Sequence, residues 1–237
     1  MQLFLSSMQQ ASHDAPMTQA RPQHSYLRRL AARIVGQAIV LFARAITAVH
    51  ADWRGVGPSA KQRVYFANHV SNADMPMIWT VLPHHLRLRT RPVAASDYWL
   101  QNGIRSFFGA EVFQAVLVDR RPDERTDDPM QAILDALDQG ASLIIFPEGL
   151  RNQGPEPLQR FKAGLYNIAK ARPDVELVPT WVANLSSVMP KGEVIPLPLM
   201  VRVIFGTAVE LGESEARGEF LKRASQSLLA LKPEDFT

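Results

Sequence analysis

The chain contains no cysteine. That excludes disulfides, thiolate nucleophiles and every zinc site built on sulfur, and it suits a reducing compartment. A Gly-x-Ser-x-Gly elbow is also absent, so no serine is presented as the activated nucleophile of an α/β hydrolase. No positively charged stretch precedes the short Leu3-Phe4-Leu5 run, and a secretory signal is therefore not expected. His84 and His85 stand at no ligand spacing to His69, so a metal site is not expected. The basic stretches lack interleaved aromatic side chains, which argues against nucleic acid as a partner. There is no internal repeat and no low-complexity tract.

What is present is enough apolar content for one core: 237 residues, 46% of them hydrophobic. Charge is unevenly placed. Residues 1–100 hold eleven Lys and Arg against four Asp and Glu, a surplus of seven, whereas the remainder holds fifteen against nineteen. A basic leading half suits an anionic partner such as a phospholipid surface, or else a solvated basic face. Residues 1–25, rich in Gln, Ser, Ala and Pro, are expected to form a flexible leader. Residues 26–50 read as an amphipathic N-terminal helix. With Arg28 set at 0°, Arg29, Arg33 and Arg44 fall at about 100–160°, while Leu27, Leu30, Ile34, Leu41 and Phe42 fall between about 200° and 320°. The longest uncharged run, Ile34 to Ala43, is ten residues, against the ~20 needed to span a bilayer. Such a helix is expected to lie in a headgroup region or to cover the domain's own core.

Beyond it, residues 51–237 alternate apolar runs with helical periodicity. Strands are expected near 64–67, 92–95, 112–118, 142–146, 175–180 and 200–205, with helices near 75–82, 130–137, 161–171 and 219–231 and a helical or loop region at 98–108. Gly140 stands where a left-handed C-cap would fall. Arg87, Arg89 and Arg91 alternate, which in an extended segment would put three guanidinium groups on one side. The fold class that follows is α/β, with a central mixed sheet flanked by helices.

The stretch Val64 to Asp74 is the part most suited to chemistry. A strand runs into a polar turn carrying Asn68, His69, Ser71, Asn72 and Asp74. On one straight helix His69 and Asp74 would point about 140° apart. With His69 on the loop and Asp74 in the first helical turn after an Asn72 cap, the two can meet. The pair is then either a structural imidazole beside a helix start or a general base whose aspartate fixes the tautomer. With no enzyme nucleophile in view, a base here would activate a substrate hydroxyl, or water.

A second polar turn, Pro147-Glu148-Gly149-Leu150-Arg151, directly follows the apolar run Ser142 to Phe146. That position projects polar groups into a crevice at a sheet's carboxyl edge. Lys162, near the N-terminus of another helix, sits at the end that favours anions, which makes it either a surface lysine or a ligand-anion contact.

Four blocks, taken in order, resemble the motifs of the glycerolipid acyltransferases, the family that includes 1-acylglycerol-3-phosphate acyltransferase. They are Asn68-His69-Val70-Ser71-Asn72-Ala73-Asp74, Val116-Leu117-Val118-Asp119-Arg120, Phe146-Pro147-Glu148-Gly149-Leu150-Arg151 and Val178-Pro179-Thr180, with Phe161-Lys162-Ala163-Gly164 also in place. The resemblance implies that His69 and Asp74 are catalytic, and that Arg120, Glu148, Gly149, Arg151 and Lys162 bind the acceptor. It further implies transfer of a fatty acyl group from acyl-CoA or acyl-carrier protein, a co-substrate rather than a cofactor, to a lysophospholipid in phospholipid synthesis. The expected setting is the cytoplasmic face of a membrane, with the protein held peripherally. Two residues depart from the pattern: Gln114 stands where the second motif often begins with glycine, and Leu150 where the third usually has threonine. A hydrolase using the same pair, and a non-enzymatic peripheral membrane protein, are the alternatives.

Overall fold

Arg63–Ala67 is buried at every position, the pattern of a strand covered on both faces. It lies at the centre of a seven-stranded sheet in a computed structural model that describes residues 26–119, 128–183 and 201–234. The expected leader and Arg120 lie outside the described residues.

In chain order the elements are α1 (Tyr26–Thr47), β1 (His50–Trp53), β2 (Arg63–Ala67), α2 (Asp74–Val81), α3 (His84–Arg87), β3 (Thr90–Ala95), α4 (Ser96–Trp99) and α5 (Gly103–Phe107). A π-helical turn at Phe108–Val112 leads to β4 (Val116–Val118), α6 (Pro129–Asp138), β5 (Ser142–Ile145), α7 (Gly164–Ala171), β6 (Glu176–Ala183), β7 (Arg202–Phe205) and α8 (Arg217–Leu229). The strands are ordered β1-β7-β6-β2-β5-β3-β4. All neighbours are parallel except β6 and β7, so the sheet is mixed, as expected. Helices cover both faces. On one, α1 and α2 pack over Tyr65, Ile144, Val178 and Phe205; on the other, α6, α7 and α8 pack over Val64, Phe66, Leu143 and Leu177.

Several elements differ from the sequence expectation. The N-terminal helix ends at Thr47 rather than residue 50, because Ala48 turns left-handed at φ 43° and His50 opens β1. Its arcs are also reversed relative to a core-covering helix. Ala32, Gly36, Val40, Ala43 and Thr47 are the buried positions, centred near 80° on the wheel used above. The Leu/Ile/Phe arc lies opposite and is exposed, Leu41 and Phe42 at 68% each. Small residues let α1 approach closely: a Cβ on Gly36 would stand 3.3 Å from the Trp79 ring.

The strand expected at 112–118 is only Val116–Val118, since the π-helical turn takes the residues before it. The arginine alternation fails as well. Arg87 sits in α3, buried, donating to the Thr80 carbonyl and lying over the Trp79 ring. Arg89 donates to the carbonyls of Ala60 and Gly140, and Arg91 to that of Gln114. Arg87 thus ties α3 to α2, while Arg89 and Arg91 tie loop carbonyls to the start of β3, and the three do not share one side. His84 and His85 are on α3. Gly140 is left-handed at φ +78°, as its C-cap position requires.

Candidate active site

Register alone brings the two polar turns together. β2 and β5 are parallel neighbours with Phe66 beside Ile145, so three residues further on His69 comes level with Glu148. Both positions lie just past the carboxyl edge of the sheet, where open α/β folds place their ligands. The link is direct: the His69 backbone N–H donates to Glu148 Oε1 at 3.0 Å, and Gln159 N–H donates to Oε2 at 2.8 Å. Glu148 is buried, and burial raises its carboxyl above the ordinary value of 4.5 despite those two donors.

Asp74 organises the histidine turn. Its Oδ2 accepts from His69 Nδ1 at 2.9 Å, Val70 N at 2.7 Å and Ser71 N at 2.8 Å. An oxygen that already accepts two backbone N–H groups is a carboxylate acceptor, so Nδ1 is the donor and Nε2 carries the lone pair. The helix start differs from expectation. Ala73 is the N-cap and makes no side-chain cap bond; the cap expected from Asn72 is replaced by Asp74 reaching back over the turn, while Ser71 Oγ accepts from Ala73 N at 3.2 Å. Pro76 falls in the first turn of α2, where its missing N–H costs nothing.

The imidazole stacks on Phe146, centroids 4.1 Å apart and planes 19° from parallel, and its side chain is 20% exposed. The His69 carbonyl accepts from Asn152 N at 2.6 Å. Asn68 anchors the turn on the other side. Its amide donates to the Val182 carbonyl at 3.1 Å and accepts from Val182 N at 2.8 Å, joining the end of β2 to β6. Asn68, Phe146, Asn152 and Gln159 were given no separate role from the sequence. Asn68 had a signal, an amide able to donate and accept at a strand's carboxyl end; the others act through backbone or ring surface, which sequence does not display.

The remaining site residues fall in distinct places. Gly149 is left-handed at φ +76°, and a Cβ there would meet Lys162 Nζ at 2.7 Å, so the lysine lies across the glycine. Lys162 is exposed and its N–H bonds the Pro147 carbonyl at 2.8 Å. Arg151 is exposed, and among the described residues its side chain makes no hydrogen bond or ion pair. The ion pair with Glu148 that would have made it structural is not formed. Leu150 is an exposed apolar side chain beside it. Gln114, where glycine is usual, is left-handed at φ 49°, which supplies the physical reason for a glycine at that point.

The family model described as Acyltransferase matches residues 54–183. The chain is 31% identical over 137 residues to a 1-acyl-sn-glycerol-3-phosphate acyltransferase of Chlamydomonas reinhardtii. That match takes in 57% of this chain and 38% of that protein, so the chain spans well under half the relative's length. In fold it is similar to the crystal structure of the 1-acyl-sn-glycerophosphate acyltransferase PlsC from Thermotoga maritima, with a TM-score of 0.62 and 20% identity over 86% of this chain and 81% of that one.

Proposed function

The chain belongs to the acyltransferase family, and on that premise we propose that it moves a fatty acyl group from a thioester to the free hydroxyl of a lysophospholipid, 1-acylglycerol-3-phosphate before others. The observation that carries the reading is the 2.9 Å bond from His69 Nδ1 to Asp74 Oδ2. It leaves Nε2 as the base. Nε2 takes the hydroxyl proton, the oxygen attacks the thioester carbonyl, and the tetrahedral oxyanion collapses with cleavage of the C–S bond. The imidazolium returns its proton to the departing thiolate. Glu148 acts here as a positioning residue: both its oxygens hold backbone N–H groups, one of them that of His69.

The acceptor's phosphate is assigned to Arg151 and Lys162, with Arg120 beyond the described residues, because guanidinium and ammonium groups are the side chains suited to it. The lipid setting is supported by α1. Its Leu27, Ile34, Leu41 and Phe42 are exposed on the arc away from the domain, and arginines flank that arc, an arrangement suited to lying in a headgroup region. By length and composition α1 could also cross a membrane, but its small-residue stripe is packed on the domain. A peripheral mode is therefore the one proposed.

The decisive experiment offers a radiolabelled acyl thioester with either 1-acylglycerol-3-phosphate or an uncharged monoacylglycerol. Transfer to the phosphorylated acceptor is expected. Preference for the uncharged one overturns the phosphate assignment, and release of free fatty acid with neither acylated overturns transfer itself.

A further inference from the structure

On the face of the sheet away from α1, the approach to α7 and the first turns of α8 enclose a cleft of about 690 Å³. Its lining includes Arg160, Lys162, Arg217 and Lys222, with Phe161 and Leu221 as apolar wall. No carboxylate among the described residues lines it. Among the described residues none of the four cationic side chains has a hydrogen-bond or ion-pair partner. Glu219 lies roughly 130° round α8 from the mean direction of the residues that line the cleft, and Glu215, just before α8, is paired with Arg223. Arg217 opens α8 and Lys162 immediately precedes the start of α7, the ends where a cation is least favourable for a helix. Neither Ala163 nor Ala216, the two N-caps, supplies a side-chain cap. Unpaired cations and uncapped helix starts thus converge on one concavity.

We propose that this cleft binds the phosphorylated adenosine end of a coenzyme A thioester, the donor in the reaction proposed above, on which the inference rests. Three features point to that ligand. The nucleotide end of coenzyme A carries a diphosphate and a 3′-phosphate, a charge that Arg160, Arg217 and Lys222 match, while Lys162, at the edge nearest Gly149, is left to the acceptor's phosphate. The partly exposed Leu221 gives the base an apolar surface. Lys162 lies across Gly149, the residue after the carboxylate that holds His69, so the cleft adjoins the candidate active site.

The test is steady-state kinetics of an Arg217→Ala/Lys222→Ala double variant, with both residues exposed and remote from the His69 turn. The KM for palmitoyl-CoA is expected to rise at least about tenfold, the worth of one charge-assisted hydrogen bond, with the acceptor's KM unchanged. With palmitoyl-pantetheine, which has no nucleotide, variant and wild type should not differ. An unchanged donor KM, a rise in the acceptor's KM instead, or an equal loss with palmitoyl-pantetheine overturns the proposal, as does a wild type that accepts only carrier-protein thioesters. Calorimetric titration with free coenzyme A separates this from the function reading. Binding by the wild type and its loss in the variant, without turnover in either, would sink acyl transfer and keep the cleft. Normal turnover with equal binding would do the reverse. Arg217→Gln/Lys222→Gln, closer in shape, keeps the test open if the alanine pair unfolds.

Discussion

The His69 turn is held through its backbone as well as its ring: Glu148 accepts from its N–H and Asn152 donates to its carbonyl. Replacing the ring should therefore leave the fold intact while removing the base. His69→Ala is expected to lower kcat by ~10²–10⁴-fold with unchanged circular dichroism; near-full activity in the folded variant would exclude the mechanism. Asp74→Asn should be as damaging, because an amide can favour the wrong imidazole tautomer and can turn an NH2 toward the N–H groups of Val70 and Ser71. Glu148 adds a pH signature. Burial raises its folded pKa above the ordinary 4.5, so between that value and the raised one the folded state binds more protons than the unfolded. Stability from this group is full below 4.5 and is lost as pH rises through the folded pKa. The stability of the wild type relative to Glu148→Gln, read from urea denaturation at a series of pH values, is expected to fall across that window. A difference flat in pH would show that Glu148 keeps its unfolded pKa. Of these residues, His69 and Asp74 were legible in the sequence, since their five-residue spacing fits a loop-to-helix junction and no single helix. Gln159 and Asn152 were not, because they contribute only backbone N–H groups.

Among the elements, α1 shows best how periodicity can be right and its interpretation reversed. The apolar arc is real, but the domain takes the Ala32, Gly36, Val40, Ala43 stripe and leaves the Leu and Phe side chains outside. Two substitutions separate the faces. Leu41→Ser/Phe42→Ser, on exposed positions, should change stability by no more than ~0.5 kcal/mol yet abolish flotation with anionic vesicles; undiminished flotation would remove α1 from the membrane reading. Gly36→Leu should cost ~1–3 kcal/mol by overpacking against Trp79, seen as a lower urea midpoint. The segment before β4 carries its own test. Gln114 holds a left-handed conformation, so Gln114→Gly should be tolerated within ~0.5 kcal/mol, strain relief offsetting lost chain stiffness. Gln114→Val should destabilise by ~1–2 kcal/mol, the penalty for a residue forced left-handed. A tolerated valine would mean that this backbone relaxes.

Across the whole molecule the site depends on strands far apart in sequence meeting in one order. Asn68 makes this measurable, since its amide bridges to Val182, 114 residues away. Asn68→Ala leaves both the N–H and the carbonyl of Val182 without that partner, and it is expected to cost ~1–3 kcal/mol per buried group left unpaired, with a fall in kcat because His69 is the next residue. Loss of stability with undiminished kcat per folded molecule would show that the turn is held by Glu148 alone. The sequence by itself determined the α/β class, the core strands, the Gly140 cap and the His69/Asp74 pair, because local periodicity, turn chemistry and short spacing are written along the chain. The tertiary structure alone decided which face of α1 is buried, that Arg87, Arg89 and Arg91 take separate partners, and that Glu148 lies beneath His69 while Arg151 has no partner among the described residues. These outcomes depend on strand order and register, and on which surface is small enough to allow close approach, quantities set only when residues separated by tens of positions are packed together.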